Sequence, residues 1–183
     1  MDKYLLSGQD AALIIVDIQD RLAAAMKQRD EVIGNCLHLI ELARMVRMPL
    51  IVTEQYPKGL GQTVPELREA LSSCEPVEKL AFNCCEEAAF RDRLRETGRK
   101  TVIITGMETH ICVLQTCLGL LREGYHVHVV RDAVCSRNKE NRDTGLAFMR
   151  DAGAVITCTE TALFQILRVS GTEEFKAISR RIK

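Results

Sequence analysis

The sequence predicts a doubly wound α/β fold, a three-layer α/β/α arrangement with a mainly parallel sheet. Two observations point there. Short runs rich in β-branched residues, such as Ala11-Ala-Leu-Ile-Ile-Val16 and Thr101-Val-Ile-Ile-Thr105, alternate along the chain with stretches of helical spacing. These runs are apolar at successive positions rather than at every second one, as strands covered on both faces are. No linker or internal repeat divides the sequence, so residues 1–183 read as one domain, long enough to bury a core without staples.

Taken in order, Ala11–Val16 is a buried strand with Asp17 at its carboxyl end. Val32, Ile33, Cys36, Leu37, Leu39, Ile40, Ala43 and Val46 mark an amphipathic helix over about 30–47. Met48-Pro49 stops it, because the residue before proline resists the helical region. Leu50–Thr53 forms the second strand, and Glu54–Pro65, with two prolines and two glycines, reads as a loop. A short helix over Pro65–Leu71 and an extended segment over Val77–Phe82, carrying Lys79, follow. A helix over Glu86–Thr97 ends at Gly98. After the strand Thr101–Thr105 comes a helix with Val113, Leu114, Cys117, Leu118 and Leu121 on one side. The order closes with a strand at Tyr125–Val130, a helix at Asn138–Ala152, a strand at Ala154–Thr157, a helix at Thr159–Leu167 and a polar tail.

Lys+Arg and Asp+Glu balance at 25 each, so no electrostatic footprint suits nucleic acid or an anionic membrane. Neither a signal peptide nor a membrane-length apolar run is read, and the expected location is cytoplasmic. The eight cysteines are read as free thiols of a reducing compartment: Cys36 and Cys117 fall on apolar helix faces, and Cys84-Cys85 are adjacent. No C-x₂-C or H-x₃-H pair suggests zinc.

In a parallel sheet all strands present their carboxyl ends to one edge, where open α/β sheets bind ligands. Asp17, the 54–65 segment and Gly106–Cys112 therefore face a common crevice, which Lys79 can join. Cys112 sits where a strand hands over to a helix, and the helix N-terminus favours a thiolate, the nucleophilic form. A base and a charge partner would complete that chemistry, and Asp17 and Lys79 have the right types. Each residue also has a plain reading: Cys112 as a buried inert thiol, Asp17 as a helix cap, Lys79 as a surface lysine.

Asp17-x-Gln19 after a strand, Lys79 followed by Phe82, and Gly106-Met-Glu-Thr109-His-Ile-Cys112-Val113-x-x-Thr116 together resemble the isochorismatase-like cysteine hydrolases over about residues 11–168. Thr53-Glu-Gln-Tyr-Pro-Lys-Gly-Leu-Gly and Val64-Pro-Glu-Leu67 resemble the isochorismatase-domain-containing branch. The resemblance implies an Asp–Lys–Cys triad: Asp17 as general base, Lys79 as charge stabiliser and Cys112 as nucleophile. It also implies a cis peptide at Met107–Glu108 and an oxyanion hole from the backbone N–H groups of Glu108 and Cys112. The reaction would be attack on an amide-like carbon of a small molecule, release of amine and hydrolysis of a thioester. Gln19, Gln55, Tyr56 and Phe82 are candidate pocket lining; His110 reads either as a solvent histidine at the helix start or as a substrate contact, and His126, His128 and Cys117 are read as structural.

Nicotinamidases of this family bind a metal through Asp-x-His after the second strand. The matching Glu54-Gln55-Tyr56 has no histidine, so no metal and no cofactor are expected. True isochorismatases lack the nucleophilic cysteine, so Cys112 argues against vinyl-ether cleavage. The family commonly forms homo-oligomers. The rival readings are a catalytically silent binding or scaffold protein that retains the fold, and a thiol redox sensor using Cys84-Cys85 or Cys112.

Overall fold

The structure is a computed structural model and describes residues 2–182. Its centre is a six-stranded parallel sheet built from β1 (Ala11–Val16), β2 (Leu50–Gln55), β3 (Val77–Lys79), β4 (Thr101–Met107), β5 (His126–Cys135) and β6 (Val155–Thr157), in the order β3-β2-β1-β4-β5-β6. Every residue of β1 and β4 is buried, as their continuous apolar runs require.

Two apolar cores lie on opposite faces of the sheet. Leu13 and Ile15 of β1 meet α2 (Arg29–Met45) through Leu39, Ile40 and Ala43 on one face. Ala12, Ile14 and Val16 meet Phe90 of α5 (Ala88–Glu96) and Cys117 and Leu120 of α6 (Leu114–Arg122) on the other. Shorter helices connect these pieces: α1 (Asp20–Ala24), α3 (Pro57–Leu60) and α4 (Pro65–Ala70). α7 (Lys139–Asp151), α8 (Thr159–Leu167) and α9 (Glu173–Arg181) complete the layers. Among the described residues no helix is long and apolar enough to cross a membrane.

The structure redraws three elements. β2 runs on to Gln55, and Pro57–Leu60 forms a helical turn inside the expected loop, because Tyr56 N–H donates to the Lys79 carbonyl and extends the pairing with β3. β5 continues beyond Val130 to Cys135, with a register shift against Ile104–Gly106 absorbing the extra residues. Asp132 at that irregularity accepts from Thr159 N–H (2.8 Å) and its hydroxyl (2.9 Å), so it holds the start of α8. The polar tail is the helix α9, capped by Thr172 and docked through buried Ile178 and a Phe164–Phe175 ring contact at 6.0 Å.

β1 leads to β2 and β3 on one side, while β4 lies on β1's other side. The order in which successive strands are added to the sheet thus reverses between β1 and β4, which opens a crevice at their carboxyl ends. Asp17 follows β1, and Glu108 to Cys112 follow β4.

Candidate active site

The approach of β1 and β4 depends on one glycine. Gly106 pairs with Val16 at a φ of 131°, and a Cβ added there would meet the Val16 carbonyl oxygen at 2.0 Å. No side chain fits between the strands at this point. The next residue of β1's path, Asp17, turns with a φ of 53°, and its carboxylate is fully buried.

Both Asp17 oxygens are engaged. Thr53 Oγ1 donates to Oδ1 at 2.7 Å, and Lys79 Nζ donates to Oδ2 at 2.7 Å. The helix-cap reading of Asp17 is thereby removed, since α1 starts later and has no side-chain cap at Gln19. The surface reading of Lys79 fails too, as its ammonium is wholly buried at the end of β3. Burial pulls its pKa down, but the Asp17 charge and the neighbouring thiols outweigh that, and the net shift is upward. Lys79 also donates to Gln55 Oε1 (2.7 Å) and to the carbonyls of Ala81 (3.2 Å) and Phe82 (3.4 Å).

After the cis peptide Met107–Glu108 the chain forms a π-turn, Thr109–Val113, before α6. The Glu108 carbonyl accepts from Ile111 N–H (3.1 Å) and Val113 N–H (3.3 Å), on either side of Cys112. The Glu108 side chain is buried and held by Arg137, whose N–H reaches Oε2 at 2.9 Å and whose guanidinium spans both oxygens.

Cys112 is 5 % exposed and shares the electrostatic neighbourhood of Asp17, Lys79 and Cys84. The thiolate expected from the helix N-terminus is not the resting form. Burial drives the thiol's pKa far up, the Asp17 charge and hydrogen bond push the same way, and Lys79 offsets only part. Cys112 therefore rests as a thiol beside a carboxylate that can take its proton.

The sequence expectation placed four further residues around substrate, and the structure divides them. Gln19 is fully buried, with Nε2 donating to the carbonyls of Gln55 (3.0 Å) and Gly61 (2.6 Å) and Oε1 accepting from Gln55 N–H (2.7 Å). It braces the backbone and offers no face to a pocket. Gln55 uses Oε1 on Lys79 and Nε2 on the Leu80 carbonyl (2.8 Å), so it positions the lysine. Tyr56 and Phe82 have half-exposed side chains, and touch Lys79 through their backbones: Tyr56 N–H donates to the Lys79 carbonyl and the Phe82 carbonyl accepts from Lys79 Nζ. His110 lies aside, with Nδ1 at 2.9 Å from Ser136 Oγ and Nε2 at 3.4 Å from Asn141. His128 binds the Lys3 carbonyl at 2.8 Å, and Cys117 is fully buried in the core. Thr53 carries no functional mark in the sequence, because a threonine inside an apolar run reads as a strand former. Its hydroxyl reveals its role only once β2 lies beside β1.

Fold and site define a parallel α/β protein with a buried carboxylate–ammonium–thiol cluster at its topological switch point. The isochorismatase domain matches residues 11–161, most of the chain, and the protein belongs to that family. Isochorismatase family protein 1A of Dictyostelium discoideum is 38 % identical over 178 residues, covering 94 % of this chain and 86 % of that one. Among solved structures, the MAR1 ribonuclease of Caenorhabditis elegans superposes with a TM-score of 0.91 at 38 % identity, covering 97 % and 92 % of the two chains. YcaC from Pseudomonas aeruginosa, solved with hexane-2,5-diol and covalent acrylamide, gives 0.91 at 32 %, covering 97 % and 91 %. The nicotinamidase of Staphylococcus aureus shares the fold, with a TM-score of 0.74 at 20 % identity, covering 81 % of this chain and 99 % of that one.

Proposed function

We propose that the protein is a cysteine hydrolase of small amide-like substrates, working without a metal. The observation that carries this reading is the fully buried Asp17–Lys79 pair beside Cys112. As Cys112 Sγ bonds to the substrate carbon, its proton passes to Asp17, and the carbonyl π electrons move to oxygen. The N–H groups of Glu108 and Cys112 receive that oxyanion, the latter being the donor that the Glu108 carbonyl passes over. When the C–N bond breaks, Asp17 returns the proton to the leaving nitrogen. Water then attacks the thioester, Asp17 takes its proton, the C–S bond breaks, and the proton goes back to sulfur. Lys79 stays charged throughout and holds the carboxylate in reach.

A metal-free site is supported by what stands where nicotinamidases carry Asp-x-His. Here Gln55 is committed to the Lys79 ammonium, and Tyr56 turns outward. The small-substrate reading is supported by the depth of Cys112 and the chain's zero net charge, which suit a compact neutral group better than a polyanion. A panel of small amides, with RNA as a comparison, tests the proposal. Turnover of an amide that disappears in Cys112→Ala is expected. RNA cleavage that depends on Cys112, with all amides inert, would overturn it.

A silent binding role draws on the depth of Cys112, whose burial holds it as the less reactive thiol. Amide turnover lost in Cys112→Ala excludes it.

A further inference from the structure

Met107 of β4 pairs with Cys135 of β5, so the segments that leave the two strands start side by side. The turn that carries Cys112 is therefore gripped from outside by the residues after β5. Ser136 Oγ lies 2.9 Å from His110 Nδ1, and Asn141 Nδ2 lies 3.4 Å from His110 Nε2. Gly145 of α7 backs the turn directly. A Cβ added there would meet His110 Cα at 3.0 Å and the Thr109 carbonyl oxygen at 3.2 Å.

The densest of these contacts falls on Glu108, whose carboxylate is buried. Arg137 N–H donates to Oε2 at 2.9 Å, and Arg137 Nε lies 3.1 Å from Oε2 and 3.2 Å from Oε1. A terminal guanidinium nitrogen adds a contact to Oε1 at 3.1 Å. A planar fork on both oxygens fixes the rotation of the carboxylate as well as its place. Glu108 is thus held at its backbone by β4 and at its far end by Arg137. Among the described residues every hydrogen bond that Arg137 side chain and N–H donate goes to Glu108. The arginine side chain is itself 62 % exposed, and an ion pair so open to water adds little to stability.

We propose that Arg137 is a positioning residue for the oxyanion site: by clamping the Glu108 side chain it aims the Glu108 backbone N–H at the carbonyl oxygen of a substrate held on Cys112. The assignment rests on the hydrolase reading. It adds a residue that touches neither substrate nor thiol and acts through Glu108 alone.

Two reactions of Cys112 separate this role from a structural one. With p-nitrophenyl acetate, Sγ bonds to the acetyl carbon, its proton passes to Asp17, and charge builds on the carbonyl oxygen. The C–O bond then breaks, p-nitrophenolate leaves, and water hydrolyses the thioester to acetate. This reaction is read as p-nitrophenolate release above the Cys112→Ala rate. Iodoacetamide alkylation instead displaces iodide at a methylene and builds no charge on a carbonyl oxygen. It is read at Cys112 by peptide mass spectrometry.

In Arg137→Ala the backbone N–H still holds Glu108 Oε2, so the fold is retained while the fork is lost. Acylation should fall by about tenfold or more, with alkylation at the wild-type rate. Arg137→Lys, which keeps the charge without the fork, should fall between the two. Unchanged acylation in Arg137→Ala overturns the assignment, and so does an equal slowing of both reactions, which would mean a general disturbance of the thiol. A wild-type protein that alkylates at Cys112 but releases no p-nitrophenolate beyond Cys112→Ala removes the hydrolase reading, and the assignment with it.

Discussion

Lys79 Nζ lies 2.7 Å from Asp17 Oδ2, and neither side chain has any solvent exposure. Such a pair is held more by the penalty for breaking it than by its own attraction, since removing one partner strands a charge in the interior. Asp17→Asn and Lys79→Met are each expected to lower unfolding free energy by about 3–5 kcal/mol. The double variant should lose clearly less than the sum of the two. Urea denaturation of the four proteins closes the cycle, and strict additivity would mean that the two groups do not sense each other.

The same pair sets the reactivity of Cys112. Burial is the largest cause of the raised thiol pKa, the Asp17 charge the next, and Lys79 works in the opposite direction. Asp17→Asn therefore lowers the pKa of Cys112, and Lys79→Met raises it further. Iodoacetamide labelling of Cys112 near pH 8 should be faster in Asp17→Asn and slower in Lys79→Met, while amide turnover falls in both. Rate–pH profiles of labelling check this, and a slower Asp17→Asn would contradict the geometry.

The buried thiols as a group make the fold sensitive to alkali. Burial raises Cys36, Cys85, Cys117 and Cys135 to about 12 and Cys84 to about 11, against an ordinary 9.0, and Cys112 is raised as well. Above pH 9 the unfolded chain releases these protons while the folded chain keeps them, so the folded state binds more protons and stability falls as pH rises. Each thiol contributes up to roughly 1.4 kcal/mol of loss per pH unit across that window. Melting temperature should hold steady near neutrality and drop steeply between about pH 9 and pH 11. Cys117→Ala would flatten that slope despite its cavity cost.

How much of this was legible in sequence depends on whether a residue's role is set by its place along a strand or by what lies across from it. Asp17 and Cys112 stand just past the ends of continuous apolar runs, and parallel order alone sends both to one edge. Gln19 and Gln55 have no such marker. Polar residues near the crevice look like pocket lining until the structure shows Gln19 gripping the Gln55 backbone and Gln55 gripping Lys79. The sign of the Cys112 shift was also hidden, because the helix terminus is local while burial and Asp17 are not. The α9 segment reads as a polar tail in sequence because only Phe175 and Ile178 bind a mostly charged stretch to the body.

Tyr56, Leu80 and Phe82 are exposed large apolar residues attached to the backbone around Lys79. If a second copy of the chain closes over this exposed apolar surface, these are the side chains it covers. Leu80→Ser combined with Phe82→Ser should lower the sedimenting mass and leave the helical circular dichroism intact. A wild-type chain that sediments as a monomer at all concentrations would end this reading.

The tightest demand in the structure falls on Gly106. An alanine there would put its Cβ 2.0 Å from the Val16 carbonyl oxygen, a backbone atom in the middle of the sheet that has no room to retreat. Gly98 is the fair comparison, since its φ of 65° also disfavours a side chain but nothing lies within 4 Å of the added carbon. Gly98→Ala is thus expected to cost about 1–2 kcal/mol through backbone conformation alone. Gly106→Ala must instead push β1 from β4, with a loss of more than about 4 kcal/mol. Because Asp17 and Cys112 follow directly on the two strands being separated, any folded fraction of Gly106→Ala should also show Cys112 labelling that no longer responds to Asp17→Asn. Comparing the two variants by urea denaturation and thiol labelling separates ordinary glycine strain from the close strand contact that brings Asp17 and Cys112 together.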